Sequence, residues 1–241
     1  MSSRKLCALC SMPKKLVGSH IIPEFCYKPM YDSKHRASEL TIKPFKNKFI
    51  QKGYRENLLC EDCEGVINKY ETYFAKTWYQ QKKLPDKLEN SHLILNGLDY
   101  VNFKLFHLSV LWRASISTRD DFKNVNIIQR HQERLRKMIL NNDPGSETRF
   151  SFFAIALTDN DNKVVHEAIM EPVNSKYAGH RIYVFIFAGC CWYYFVSNHS
   201  MAEHLNYCFS KSGNLFLVRE NFYRFDYIAN FQRSYWSKKS E

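Results

Sequence analysis

The chain has 241 residues, of which 45% are hydrophobic and 24% are charged. This length allows one large domain or two small ones, and the composition excludes a disordered tail, a collagen-like chain and a coiled coil. Lys and Arg outnumber Asp and Glu by 35 to 24, so the net charge is +11. The excess favours a polyanionic partner, either nucleic acid or an acidic membrane surface.

The N-terminal stretch, residues 1–15, is polar and basic and contains no apolar signal region. The longest apolar run, residues 182–196, is shorter than the roughly 20 residues that span a membrane. We therefore expect a cytoplasmic protein without a membrane segment. The apolar run itself is predicted to form two buried strands that meet near Ala188-Gly189.

Two regions of the chain differ in loop content and in charge. Residues 1–90 are rich in loops and hold 17 Lys and Arg against 10 Asp and Glu, whereas residues 91–241 hold 18 against 14. We predict an α+β fold: a zinc-supported N-terminal domain over residues 1–90, then an α+β domain of unknown role over residues 91–241.

Cysteine spacing is the clearest signal in the first region. Four of the eight cysteines form two Cys-x-x-Cys pairs, Cys7 with Cys10 and Cys60 with Cys63. Four thiolates on two tight turns suit a tetrahedral structural Zn²⁺, and redox chemistry or unrelated thiols are the alternative. The other four are predicted to be buried small hydrophobic residues: Cys26, Cys190, Cys191 and Cys208.

Basic and aromatic residues alternate between the two cysteine pairs. This pattern suits contact with phosphates together with base stacking, and the alternative is a solvated loop whose aromatic side chains turn inward. The predicted nucleic-acid contacts are Lys43, Lys46, Lys48, Lys52 and Arg55.

Helical periodicity begins after the first region, and we expect the helices within residues 97–142. One helix carries apolar residues at three-to-four spacing from Val101 to Trp112, and a second, amphipathic helix covers residues 131–140. Residues 141–145 form a helix stop signal. Strands of a mainly antiparallel sheet are expected within residues 148–230. They are predicted at 150–157, 163–170, 181–187, 191–197 and 215–219, with a hairpin turn at 159–162.

The order of motifs in residues 7–75 carries a family resemblance. The first cysteine pair is followed by Ser-His-Ile-Ile-Pro, residues 19–23, and later by Leu-Cys-Glu-Asp-Cys, residues 59–63, which leads into a helix. This arrangement resembles the HNH (ββα-metal, His-Me finger) endonucleases. The resemblance implies that residues 1–90 form a ββα-metal domain that hydrolyses phosphodiester bonds.

The resemblance also implies roles for single residues. His20 stands at the position of the general base, and Glu64 opens the helix where the family binds a catalytic Mg²⁺ or Mn²⁺. Asn68, one helical turn beyond Glu64, and Ser19 would assist at the ion, while Asn57 is the candidate for the middle Asn of the family. The alternatives are a buried or zinc-ligating histidine, an acid that favours the helix N-terminus, and solvated asparagines.

Three positions depart from the family pattern. Ser19 stands where Asp or His is usual, Glu64 where His or Asn is common, and Arg55 where the middle Asn is usual. These departures bear on the catalytic ion and not on the zinc site.

A second resemblance spans most of the chain. Residues 109–115, 131–136 and 142–145 look like those of uncharacterised bacterial proteins that pair an HNH-like front with an α+β back near mobile-element defence genes. The resemblance implies a bacterial defence role, with a homodimer or a partner such as an ATPase.

Together these observations predict a metal-dependent endonuclease that cleaves DNA, with structural Zn²⁺ and a catalytic Mg²⁺ or Mn²⁺. The alternative is an inactive zinc-dependent module that binds nucleic acid and recruits a partner protein. A third class, a protein-interaction scaffold, predicts no salt-dependent affinity for nucleic acid.

Overall fold

A computed structural model describes residues 5–32, 34, 37–39, 48–50, 53–177, 179–197 and 206–224, with the backbone alone for 37–39 and 48–50. The described part of the chain is a mixed α+β structure with four α-helices and ten strands. The predicted α+β class is therefore confirmed.

The first 80 residues form two small sheets and the first two helices. The elements are β1 (Leu16–His20), α1 (Glu24–Tyr27), β2 (Ala37–Glu39), β3 (Lys48–Ile50), β4 (Arg55–Cys60) and α2 (Glu61–Ala75). β1 pairs with β4, and β2 with β3, both antiparallel. α2 follows β4 without a loop, and the acidic residues of its first turn complement the helix dipole.

Two helices, α3 (Tyr100–Ile116) and α4 (Gln129–Leu140), lie within residues 97–142, as predicted from periodicity. Residues 117–128 separate them. Asp99 caps α3, because its side chain accepts a hydrogen bond from the amide of Asn102 at 2.7 Å. Thirteen of the 17 residues of α3 are buried. The helix thus lies inside the molecule, with α2 and α4 packed against it.

The remaining strands build one six-stranded sheet in the order β5-β10-β6-β9-β8-β7. They are β5 (His92–Leu95), β6 (Phe152–Thr158), β7 (Met170–Tyr177), β8 (His180–Phe187), β9 (Cys190–Phe195) and β10 (Leu215–Asn221). Four of the five pairings are antiparallel, but β10 runs parallel to β6, so the sheet is mixed. Sequence reasoning missed β5, which lies at the sheet edge beside β10.

The apolar run at 182–196 forms the β8–β9 hairpin, as predicted. Ala188 and Gly189 both have positive φ, at 56° and 78°, which is the geometry of a tight two-residue hairpin turn. A Cβ atom on Gly189 would lie 2.4 Å from Cγ1 of Val164, so glycine is also required sterically.

The strand predicted at 163–170 is wrong for most of its length. A turn does form at residues 159–162, and Thr158 bridges Val164. Two ladder bonds form around this bridge, from Asp159 N–H to the Lys163 carbonyl at 2.8 Å and from Val165 N–H to the Leu157 carbonyl at 2.9 Å. The amide of Val164 faces the other side and donates to the carbonyl of Asp86 at 2.9 Å. Among the described backbone bonds the ladder to β6 stops at Val165, and regular pairing resumes only in β7.

One buried core cluster extends from Cys7 to Leu217 and includes side chains from both predicted domains. Trp78, just beyond α2, donates from Nε1 to the carbonyl of Ala188 in the β8–β9 turn at 2.9 Å. The division at residue 90 stays a prediction, and these contacts cross it. Among the described helices, none combines the length and the apolarity needed to cross a membrane.

Candidate metal centre and the adjoining strand pair

The two cysteine pairs meet in space. The sulfur atoms of Cys7, Cys10, Cys60 and Cys63 all lie within 4.8 Å of one another, and those of Cys10 and Cys60 are 3.9 Å apart. A tetrahedral Zn²⁺ with bonds of about 2.3 Å places its sulfurs about 3.8 Å apart, so the donor set fits zinc. In the described chain, no other group of three or more His, Cys, Asp or Glu side chains is placed to hold a metal ion.

Local backbone geometry presents each pair. In the first, the amide of Ser11, at φ 61°, donates to the carbonyl of Cys7 at 2.8 Å, and Cys7 N–H donates to Met12 at 3.0 Å. In the second, Cys60 ends β4 and Cys63 lies in the first turn of α2. The amide of Cys60 points at Cys7 Sγ, 3.3 Å away, so the pairs are joined by the backbone as well.

Burial and close packing of the sulfurs disfavour a thiolate at Cys63 unless a cation is bound. Burial, reinforced by the surrounding thiols, raises the pKa of the Cys63 thiol. A bound divalent ion reverses this effect because it stabilises the thiolate. The other four cysteines are buried away from the cluster, as predicted: Cys26, Cys190, Cys191 and Cys208.

A side chain of helix α4 hydrogen-bonds to the Cys7–Cys10 turn. Arg136 donates from Nη1 to the carbonyl of Leu9, inside the Cys7–Cys10 turn, and pairs with Glu133 at 2.7 Å. The apolar periodicity of this segment predicts an amphipathic helix but not the contact, since nothing in the local pattern shows which distant carbonyl an arginine meets.

His20 lies at the end of β1, opposite Arg55 on β4. Arg55 donates from Nε to His20 Nε2 at 2.8 Å, and its Nη2 lies 3.4 Å from Glu24 Oε2. With Arg55 as the donor, the lone pair of Nε2 faces the guanidinium, and Glu24 Oε2 lies 3.7 Å from the same nitrogen. Glu24, which contacts Arg55, was not among the predicted site residues.

Ser19 points to the other side of β1, as strand alternation requires. It is fully buried and donates from its hydroxyl to Oε1 of Glu64 in α2. The structure thus brings together two of the residues expected at the catalytic ion. A single carboxylate and a hydroxyl are hard oxygen donors suited to Mg²⁺ or Mn²⁺, although substrate and water would have to complete the coordination.

An ion pair between α3 and α2 holds the end of this strand. Arg113, fully buried in α3, donates from Nη1 to the carbonyl of His20 at 2.5 Å and pairs with Glu71 of α2 at 2.7 Å. Burial raises the pKa of Glu71, and the charge of Arg113 opposes that rise. An arginine among the apolar residues of a predicted core helix is the sequence signal for such a pair, but it does not identify the partner.

Among the remaining predicted residues that the structure describes, no side-chain hydrogen bond joins Asn57 or Asn68 to this group. Asn57 is exposed on β4 opposite Gly18, and Asn68 is exposed on α2, where the described hydrogen bonds do not join it to Glu64. Lys48 belongs to β3, but its side chain is outside the description. Lys43, Lys46 and Lys52 lie outside the described residues.

Comparison of the chain with protein-family models, with curated proteins and with solved structures finds no significant match. The HNH resemblance therefore rests on the motifs and their spacing alone.

Proposed function

We propose that this chain is a metal-dependent HNH-type endonuclease that cleaves DNA. The observation that carries the proposal is the strand pair β1–β4 leading directly into α2 beside the four-cysteine cluster. This unit holds an imidazole, His20, at the end of β1 and a carboxylate, Glu64, at the start of α2.

In this proposal the four cysteines hold Zn²⁺, which joins the Cys7–Cys10 turn to the end of β4 and the start of α2 and takes no part in the chemistry. Glu64, with the hydroxyl of Ser19, would hold Mg²⁺ or Mn²⁺. When bound, that ion supplies positive charge to the phosphate and to the departing oxygen.

The base chemistry belongs to His20. Its Nε2 accepts a proton from water as the water oxygen forms a bond to phosphorus and one P–O ester bond breaks. The departing oxygen takes a proton from solvent, which completes the hydrolysis. Arg113 contributes by fixing the backbone of His20 through its carbonyl oxygen.

The biological setting of the proposal follows from the second resemblance. A bacterial defence nuclease would act against phage or mobile-element DNA, and a homodimer or a partner ATPase would control it. The net charge of +11 supports a polyanionic substrate.

The test is a plasmid-nicking assay on zinc-loaded protein, with Mg²⁺ or Mn²⁺ added and with no added divalent ion. The proposal predicts cleavage that requires the added ion and leaves the bound zinc unchanged. Absence of cleavage with either ion over a range of protein concentrations would contradict it.

A second candidate is a module that binds nucleic acid without cutting it. It is favoured by the bond from Arg55 that occupies His20 Nε2 and by Ser19, a neutral group, at the ion position. This candidate predicts binding whose affinity falls steeply with salt and no cleavage under any ion condition.

A further inference from the structure

Arg55 covers the imidazole of His20 on the solvent side. The Arg55 side chain is 43% exposed, whereas that of His20 is 15% exposed. A ligand that approaches from solvent therefore meets the guanidinium before the ring.

The bond between the two residues has a chemical consequence. Arg55 Nε donates to His20 Nε2 at 2.8 Å, and this uses the lone pair on that nitrogen. While the bond persists, Nε2 cannot take a proton from water. The arrangement therefore occupies the atom that would act as base.

Present partners of Arg55 are weaker than a phosphate would be. One is an uncharged ring nitrogen, and the other, Glu24, is 34% exposed and 3.4 Å from Nη2. A guanidinium has five N–H donors in a planar fork, and phosphate oxygens accept two of them in parallel as short, charge-assisted bonds. An incoming phosphodiester thus competes well for Arg55.

We infer that Arg55 is a phosphate-responsive cover on His20: in the free protein it occupies Nε2, and a backbone phosphate of nucleic acid draws it away and frees the imidazole. The inference rests on the proposed function, since it names how the same site meets its substrate and stays inactive without it. The ligand is the phosphodiester itself, recognised by charge and not by base.

The test uses the full, zinc-loaded chain, a 12-nucleotide oligothymidylate and no added Mg²⁺ or Mn²⁺. Nuclear magnetic resonance of protein labelled with ¹⁵N detects the coupling across the hydrogen bond between Arg55 Nε and His20 Nε2. We expect this coupling in the free protein and its loss when the oligonucleotide saturates the protein. Persistence of the coupling at saturation, or no binding at all, would overturn the inference.

Variants supply a second readout. Arg55→Gln should weaken oligonucleotide binding about tenfold and reduce the slope of log affinity against log salt by about one. Arg119→Gln is the matched control, because Arg119 has a similar exposure of 32% and pairs with Asp121 at 2.7 Å. It should change the affinity less than twofold, and equal effects of the two variants would contradict the inference.

The inference and the proposed nuclease can fail separately. If the protein shows the coupling change and the Arg55 effect but never cuts DNA, the nuclease proposal is wrong and the inference about Arg55 stands. In protein that does cut, Arg55→Gln should raise KM about tenfold without a matching loss of kcat, since the base is then uncovered. If that variant keeps both the wild-type KM and the wild-type kcat, the inference about Arg55 is wrong and the nuclease proposal stands.

Discussion

The guanidinium of Arg113, buried within α3, donates a hydrogen bond to the backbone carbonyl of His20 at 2.5 Å. The same side chain pairs with Glu71 of α2 at 2.7 Å. One buried cation thus joins the central helix, the helix that follows the second cysteine pair and the strand that ends at the candidate base. The position of His20 depends on a residue 93 places away in the sequence.

This relationship predicts a large stability effect. Arg113→Met leaves Glu71 buried without its partner, and breaking a buried pair in this way typically costs about 3–5 kcal/mol. Denaturant unfolding measures the loss. Arg119→Met is the control, since the Arg119 side chain is 32% exposed against 1% for Arg113, and the loss of its pair with Asp121 should cost no more than about 1 kcal/mol. Equal losses for the two variants would show that Arg113 does not hold the site together.

The metal centre predicts one tightly bound zinc ion per chain. Cys63→Ser should abolish stoichiometric zinc and lower the unfolding midpoint, because the ion joins the first cysteine turn to α2. Cys208→Ala, which alters a buried cysteine outside the cluster, should retain the zinc. Elemental analysis of the purified variants gives the count, and zinc retained by Cys63→Ser would contradict the four-cysteine site.

The burial of Lys104 should make the stability of the fold depend on pH. Burial in α3 lowers its pKa to about 7, partly offset by Glu147 and Asp143, while its Nζ donates to the carbonyl of Ser146 at 2.6 Å. The unfolded chain keeps this amine protonated up to about pH 10, so between pH 7 and 10 it binds more protons than the folded chain. Stability from this residue therefore rises with pH across that window.

The measurement compares unfolding free energies of the wild type and Lys104→Met at pH 7 and pH 9. The wild type should gain about 2 kcal/mol over this range relative to the variant. A constant difference between the two proteins would show that Lys104 titrates at its ordinary value.

Much of the fold could be predicted from local pattern. The Cys-x-x-Cys pairs, the β8–β9 hairpin and the two central helices follow from spacing, turn residues and apolar periodicity. The parallel pairing of β10 with β6 could not be predicted, since it joins segments some 60 residues apart and no local signal records that register.

The site shows the same limit. The motif predicted His20 on a strand and Glu64 on a helix. Because side chains alternate along a strand, Ser19 and His20 then point to opposite sides of β1. The partners Arg113 and Glu24 were not predicted, because a polar contact between distant elements depends on how those elements pack. For the same reason a shared face along α2 suggested Asn68, whereas the structure shows this residue exposed.

The Ser19–Glu64 contact predicts where a catalytic ion binds. Glu64→Gln removes the charge that would hold Mn²⁺ and should reduce ion-dependent cleavage at least 100-fold. Glu61→Gln is a close control, because Glu61 is an exposed acid in the same helical turn. Its cleavage rate should match the wild type, and a similar loss in both variants would indicate a general effect of charge at the start of α2.

The most direct test of the account is the rate of plasmid cleavage by His20→Ala in Mg²⁺ or Mn²⁺, beside the wild type and His92→Ala. His92 is an exposed histidine on β5 that has no role in the proposed chemistry. The account predicts that His20→Ala keeps its zinc and its DNA affinity but loses cleavage by at least 100-fold, while His92→Ala cuts at the wild-type rate. Cleavage by His20→Ala at the wild-type rate would contradict it.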